Sequence, residues 1–167
     1  MQNITRLFDF PYYQLEHFNL PDALVTKYNN EWVKTSTQEY INKANALSRA
    51  LLNLGIQKND KIAVISSNNR TEWHISDIGI LQVGAQNIPI YPTISSEDYE
   101  YILNHSEAKY CFVSDQVVYD KLKEVQSRIP LLIDVYSFNE ISGCKKWSDL
   151  VTNGADTSNQ NIVEERK

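Results

Sequence analysis

From residue 36 onward the hydrophobic period switches repeatedly between roughly 3.6 and 2, the signature of helices alternating with strands. Residues 61–66, 86–91, 109–114 and 131–136 are short apolar runs of strand length. Between them lie segments of helical spacing: 71–83, with Trp73, Ile75, Ile78 and Leu81 on one stripe; 95–105, with Tyr99, Ile102 and Leu103; and 116–128. Strands joined through helices make right-handed crossovers that feed a parallel sheet. The runs are near-continuous in hydrophobicity, as expected when both sheet faces are covered. The expected fold class is therefore α/β, a mostly parallel sheet with helices on both faces. Pro89 cannot donate to a ladder, which predicts an edge position or a bulge for its strand.

Ahead of this core, residues 22–35 place two β-prone runs on either side of Asn29 and Asn30, which tolerate positive φ, and so predict a β-hairpin. Ser36 with Glu39 is a capping-box pair. Ile41, Ala44, Leu47, Leu51 and Leu54 then share one helical face, and Gly55 closes the helix. The aromatic group Phe8, Phe10, Tyr12, Tyr13 and Phe18 either covers the core's edge or presents a partner surface. After residue 137 the pattern weakens. Residues 146–151 predict a short helix stopped by Asn153 and Gly154, and 155–167 read as a polar, aperiodic linker or frayed tail.

With 167 residues, 42% of them apolar, the chain suffices for one domain with its own core. Its net charge of −5, with no basic run beyond Lys145-Lys146, lacks the stripe that neutralising several phosphates requires, so no nucleic-acid partner is expected. Cys111 and Cys144 are the only cysteines, and no histidine is spaced to join them, so neither a disulfide framework nor a metal site is expected. The first residues form no apolar signal region, and no run reaches membrane-spanning length. A cytoplasmic location is the expectation.

Ligands of parallel α/β sheets sit beyond the carboxyl ends of the strands. No G-x-G-x-x-G is present. Gly79 and Gly84 fall within and at the end of a helix, followed by Ala85-Gln86, and read as packing and capping glycines. Residues 66–70 join a strand end to a helix start and are the best anion-binding candidate, but ordinary capping by serine and asparagine is the preferred reading. Residues 93–97 have the same placement, yet Glu97 and Asp98 already occupy the dipole site an anion would need. His17, His74 and His105 are isolated, and Cys111 inside an apolar strand reads as an inert thiol. No catalytic residue is expected.

The stretches 32–39, 54–73, 84–95 and 101–114, with Trp147-Ser148-Asp149-Leu150 after them, resemble in order and spacing the N-terminal part of the adenylate-forming acyl-CoA synthetases, over about residues 20–152. Asn69-Arg70-Thr71-Glu72-Trp73 and the loop Pro89-Ile90-Tyr91-Pro92-Thr93 are most similar to the long-chain fatty-acid CoA ligases. This resemblance implies an enzyme that uses ATP and Mg2+ to convert a fatty acid to an acyl-adenylate and then transfers the acyl group to coenzyme A (CoA). Peripheral membrane contact is an expectation for the whole enzyme.

The family's phosphate loop, adenylate motif, ribose-binding aspartate and C-terminal lysine have no counterpart here. The resemblance thus implies an inactive fragment, expected to hold no cofactor of its own, whose partner is the remainder of the same polypeptide. Residues 1–35 would be the N-terminal segment and hairpin, 36–152 the βαβ subdomain and 153–167 a linker. By the same resemblance Thr93, Ile94 and Lys121 are candidates for a CoA wall, against a merely solvated helix face for Lys121. The segment 69–73 is expected to be structural. The alternative is a freestanding flavodoxin- or receiver-like module binding a small ligand or a protein. Asp60, Asp77, Asp115 and Asp134 do not fall where receiver chemistry needs them.

Overall fold

A computed structural model describes residues 4–167. Helix α1 (Asp9–Phe18) precedes a hairpin of β1 (Leu24–Tyr28) and β2 (Glu31–Thr35). The body comprises α2 (Thr37–Asn53), β3 (Lys61–Ile65), α3 (Thr71–Gln82), β4 (Gln86–Ile90), α4 (Ser96–Ser106), β5 (Ala108–Val113), α5 (Gln116–Val125) and β6 (Asp134–Ser137). It closes with β7 (Lys145–Lys146), α6 (Trp147–Asn153) and α7 (Gln160–Arg166). Strands β3 to β7 form a five-stranded sheet in the order β4-β3-β5-β6-β7, every neighbouring pair parallel. The hairpin is a separate antiparallel pair.

The continuous apolar runs are explained by the sheet's two covered faces. Ile62, Val64, Tyr110, Phe112 and Tyr136 pack with residues of α2, α3 and α6, whereas Ala63, Ile65, Cys111, Val113 and Val135 pack with those of α4 and α5. Pro89 lies on β4, which pairs with β3 alone, so the edge position expected from its missing N–H is the one observed.

Local signals were obeyed at the helix ends. Ser36 and Glu39 exchange the two bonds of a capping box, and Gly55 follows α2 with φ of +82°. Ser95 and Asp98 form a second box at α4. Ser95→Ala is expected to cost about 1 kcal/mol, a fall in Tm of roughly 2–4 °C in a thermal melt followed by circular dichroism.

Four segments differ from expectation. Residues 131–133 do not join the strand: Gln126–Arg128 tighten to a 3-10 turn, Pro130 follows, and β6 starts only at Asp134. Ile129 and Leu132 are buried there, while Leu131 and Ile133 are exposed. Strand β7, two residues long, is too short to leave a periodic signal. The N-terminal aromatics form α1, whose Pro11 is tolerated in the first turn and whose Asp9 accepts the Thr5 and Arg6 N–H groups. Of the aromatic group, Phe8 enters the core while Phe10 and Phe18 stay exposed.

At the other end, α7 folds back onto α2 and α3 instead of fraying. Only Val163 is fully buried on it, so no hydrophobic period betrays the helix. Arginine holds it instead. Arg49 Nη1 donates to Gln160 Oε1 at 2.6 Å, and Arg166 Nη1 donates to the Ile56 carbonyl at 2.9 Å. None of the helices among the described residues is long and apolar enough to cross a membrane.

Candidate functional site

The chain leaves β3 toward α3 on one face and β5 toward α5 on the other, so the crevice between these adjacent strand ends is the topological switch point where ligands of open α/β sheets bind. Here it is filled by the protein's own polar groups. The Ser67 N–H donates to Ser114 Oγ at 2.9 Å, and the Ser67 and Ser114 hydroxyls both donate to Asp115 Oδ2, at 2.7 and 2.6 Å. Asp115 Oδ1 accepts the Val118 N–H and so caps α5. Burial alone would raise the Asp115 pKa, but the bonds from Ser114, Ser67 and the α5 amides outweigh it and hold the carboxylate ionised below its ordinary range. A phosphate in this crevice would meet a fixed negative charge.

Within the 66–70 loop one polar group is spent internally, while Ser67 and Arg70 reach other elements. Ser66 Oγ donates to the Asn68 carbonyl at 2.8 Å. Capping of α3, the reading preferred from sequence, is achieved from outside the loop: the Thr71 N–H donates to Thr26 Oγ1 of the hairpin at 2.9 Å. Beside it lies a buried ion pair. Arg70 grips Glu72 through Nε–Oε2 at 2.9 Å and Nη2–Oε1 at 2.8 Å, and its Nη1 donates to Asn139 Oδ1 at 3.0 Å.

The guanidinium lies between two rings, 5.5 Å from the Tyr28 centroid and 5.3 Å from that of Phe138. The Tyr28 hydroxyl donates to Glu72 Oε2 at 2.6 Å, and burial together with that bond pushes its pKa up to about 12. For Glu72, burial acts upward, but the bonds from Arg70 and Tyr28 and the Arg70 charge prevail and lower the pKa. This cluster borders a polar hollow of about 640 Å3 whose walls include Thr26, Asn68 and Asn139. The segment 69–73 is thus the joint between hairpin, α3 and the end of β6. Asp115 was legible in the sequence as a residue placed just before a helix, but Thr26, Tyr28 and Asn139 carried no signal, because each acts across more than 40 residues.

On the far side of β3, the loop after β4 carries two of the candidate CoA residues and α5 the third. The structure brings the three together. Lys121 Nζ donates to the carbonyls of Pro92 at 3.0 Å and Ile94 at 2.7 Å, and lies 5.3 Å from the Tyr99 ring centroid. Two backbone carbonyls engage it, so it is not a freely solvated side chain. Thr93 is exposed between the two anchored carbonyls, and Ile94 packs against the α4–α5 face of the core. Inward of the loop, Ser66, Asn69, Trp73, Ile90 and Tyr91 bound a cleft of about 260 Å3.

The remaining titratable candidates form no constellation. His17 stacks on Tyr13 at 4.0 Å, His105 stacks on Tyr101 in the last turn of α4, and burial lowers the His74 pKa. Burial pushes the Cys111 thiol far up, in keeping with an inert group. No group of three or more metal-ligating side chains occurs among the described residues.

Comparison with known proteins adds what this geometry does not carry alone, since a doubly wound strand order is also compatible with flavodoxin-like proteins. Residues 16–163 match the family model described as AMP-binding enzyme. The long-chain-fatty-acid–CoA ligase FadD15 of Mycobacterium bovis is 34% identical over 104 residues, 62% of this chain and 17% of that protein. The long-chain-fatty-acid–CoA ligase ACSBG2 of Xenopus laevis is 26% identical over 118 residues, 71% of this chain and 16% of that protein. The chain therefore spans about a sixth of the length of these relatives. Among solved structures, the anthranilate CoA ligase AuaEII in complex with anthranoyl-AMP superposes with a TM-score of 0.73 at 21% identity, covering 87% of this chain and 26% of that one.

Proposed function

Because this chain belongs to the AMP-binding enzyme family, we propose that it is the N-terminal part of a long-chain fatty-acid CoA ligase, which activates a fatty acid with ATP and Mg2+ as an acyl-adenylate and passes the acyl group to CoA. The observation that carries this reading is the family match over 16–163, joined to relatives named as long-chain ligases of which the chain spans 15 to 17%. Its role in the parent is a scaffold: the βαβ subdomain of residues 36–152 supplies a sheet and, through the 91–95 loop, part of a CoA wall. The crevice at the switch point, closed by Asp115, supports a chain that holds no nucleotide by itself.

Adenylation is tested by fatty-acid-dependent exchange of labelled pyrophosphate into ATP. The 167-residue chain is expected to show none, and the same chain extended through its downstream sequence to restore it. Exchange by the 167 residues alone would overturn the fragment reading. Peripheral membrane contact of the parent is tested separately, by sedimentation of the extended protein with phospholipid vesicles.

A further inference from the structure

The 91–95 loop leaves an edge strand, so on its outer side no ladder holds the chain that enters it. Its shape is fixed from behind. Two donors converge on the Pro92 carbonyl, Lys121 Nζ at 3.0 Å and the Tyr99 hydroxyl at 2.9 Å, and the same ammonium reaches the Ile94 carbonyl at 2.7 Å. Tyr99 is fully buried, so its ring is a rigid floor under the ammonium. Among the described residues Lys121 joins no carboxylate within ion-pair distance; the nearby acids are engaged elsewhere, Glu124 by Ser96 and Asp120 by Gln116. A lysine whose partners are two carbonyls of one loop, 27 and 29 residues away, is a brace on that loop.

We propose that Lys121 is a positioning residue: by spanning the Pro92 and Ile94 carbonyls it sets the conformation of the 91–95 loop and thereby presents Thr93 to CoA, without being the coenzyme's own contact. The inference rests on the reading that this loop meets CoA. The physical argument is one of preorganisation. A loop held in its binding shape loses less conformational entropy when a ligand arrives, whereas a free one must be ordered at the ligand's expense. Two bonds from an ammonium, each stronger than a neutral bond, suffice to hold a five-residue segment already stiffened by Pro92 and ended by the Ser95 cap.

The test uses the 15N-labelled chain with Lys121→Met, which keeps the apolar stem and removes the donors, and Lys121→Arg, which keeps donors and charge. In the parent sequence the Thr93 and Ile94 amides are expected to show order parameters near those of rigid backbone, about 0.85, falling toward about 0.6 in Lys121→Met while β3 and β5 stay rigid. In the chain extended through its downstream sequence, titration with CoA, followed by the Thr93 amide shift, is expected to give an affinity about tenfold weaker for Lys121→Met, the equivalent of one lost charged bond, with partial rescue by Lys121→Arg. Unchanged order parameters in Lys121→Met would overturn the brace. A loosened loop with unchanged CoA affinity would overturn its role in presentation. If the parent sequence itself shows no CoA-induced shift at Thr93, the CoA reading and the presentation role both fail, while the order parameters still decide the brace.

Discussion

Arg70→Met is expected to destabilise the domain by about 3 kcal/mol, lowering Tm by roughly 6–12 °C. The guanidinium is only 6% exposed and touches three elements at once: Glu72 on α3, Asn139 after β6, and the faces of Tyr28 and Phe138. Methionine fills much of the stem volume but leaves the Glu72 carboxylate, 16% exposed, without its cation and the Asn139 oxygen without its donor. Removing one partner of a buried pair costs more than the pair itself contributes, because a charge is stranded. The double variant Arg70→Met with Glu72→Gln, which removes that charge while keeping an acceptor for Tyr28, is therefore expected to recover about half of the loss.

The sign of the pH dependence follows from Glu72. Its folded-state pKa is depressed, so its contribution is complete above the unfolded value of about 4.3 and is lost as pH falls through the lower folded value. In Arg70→Met that carboxylate binds a proton more readily. The difference between parent and variant should therefore shrink below about pH 4, as measured by urea titrations across pH. A Tm shift under about 2 °C at neutral pH, or a pH-independent difference, would show that the cluster does not act as a paired charge.

What the sequence disclosed and what it hid differ in range. The Ser36 box, the turn at Asn29 and Asn30, and the glycine after α2 depend on neighbours a few residues away, so residue type and spacing suffice to read them. The sheet was legible because burying both faces leaves an apolar run in each main strand. The Pro89 edge followed from a missing N–H alone. Of the misread segments, α7 is set by distant partners and residues 131–133 by the local backbone. Residues 131–133 look like strand because they are apolar, but the 3-10 turn and Pro130 delay entry into the sheet.

Helix α7 looks like tail because two arginines and one valine hold it, a pattern with no period. At the candidate site the same division appears. The loop that carries Thr93 and Ile94 could be singled out by resemblance, but that Lys121 reaches the Pro92 and Ile94 carbonyls could not, since it depends on how α5 packs beside α4. Asn153 and Gly154 were read as a helix stop. That is where α6 ends, but a stop is not what makes the glycine necessary.

Gly154→Ala is expected to cost about 3–5 kcal/mol, combining a steric conflict of roughly 1–3 kcal/mol with the loss of a bond to a charged donor worth roughly 1.5–3 kcal/mol. The backbone at Gly154 has φ of −82°, which any residue adopts, so left-handed geometry plays no part. Proximity does. A Cβ built there would lie 1.8 Å from the Ala46 carbonyl oxygen and 2.6 Å from its carbon, atoms of the α2 backbone that cannot turn aside as a side chain would.

To admit one methyl group, the connection between α6 and α7 must lift from α2. That motion breaks the 2.7 Å bond from Arg49 Nε to the Gly154 carbonyl and unseats Val163. Loss should therefore be graded along the chain: amides of α7 are expected to lose hydrogen-exchange protection before those of β3 and β5. Gly143→Ala separates this mechanism from a general intolerance of substitution. Gly143 has φ of +75° but no atom closer than 4.0 Å to a built Cβ, so its replacement carries only backbone strain of about 1–2 kcal/mol. If Gly154→Ala proves no more costly than Gly143→Ala, or loosens the sheet and α7 together, then the contact with Ala46 does not hold the C-terminal helices in place.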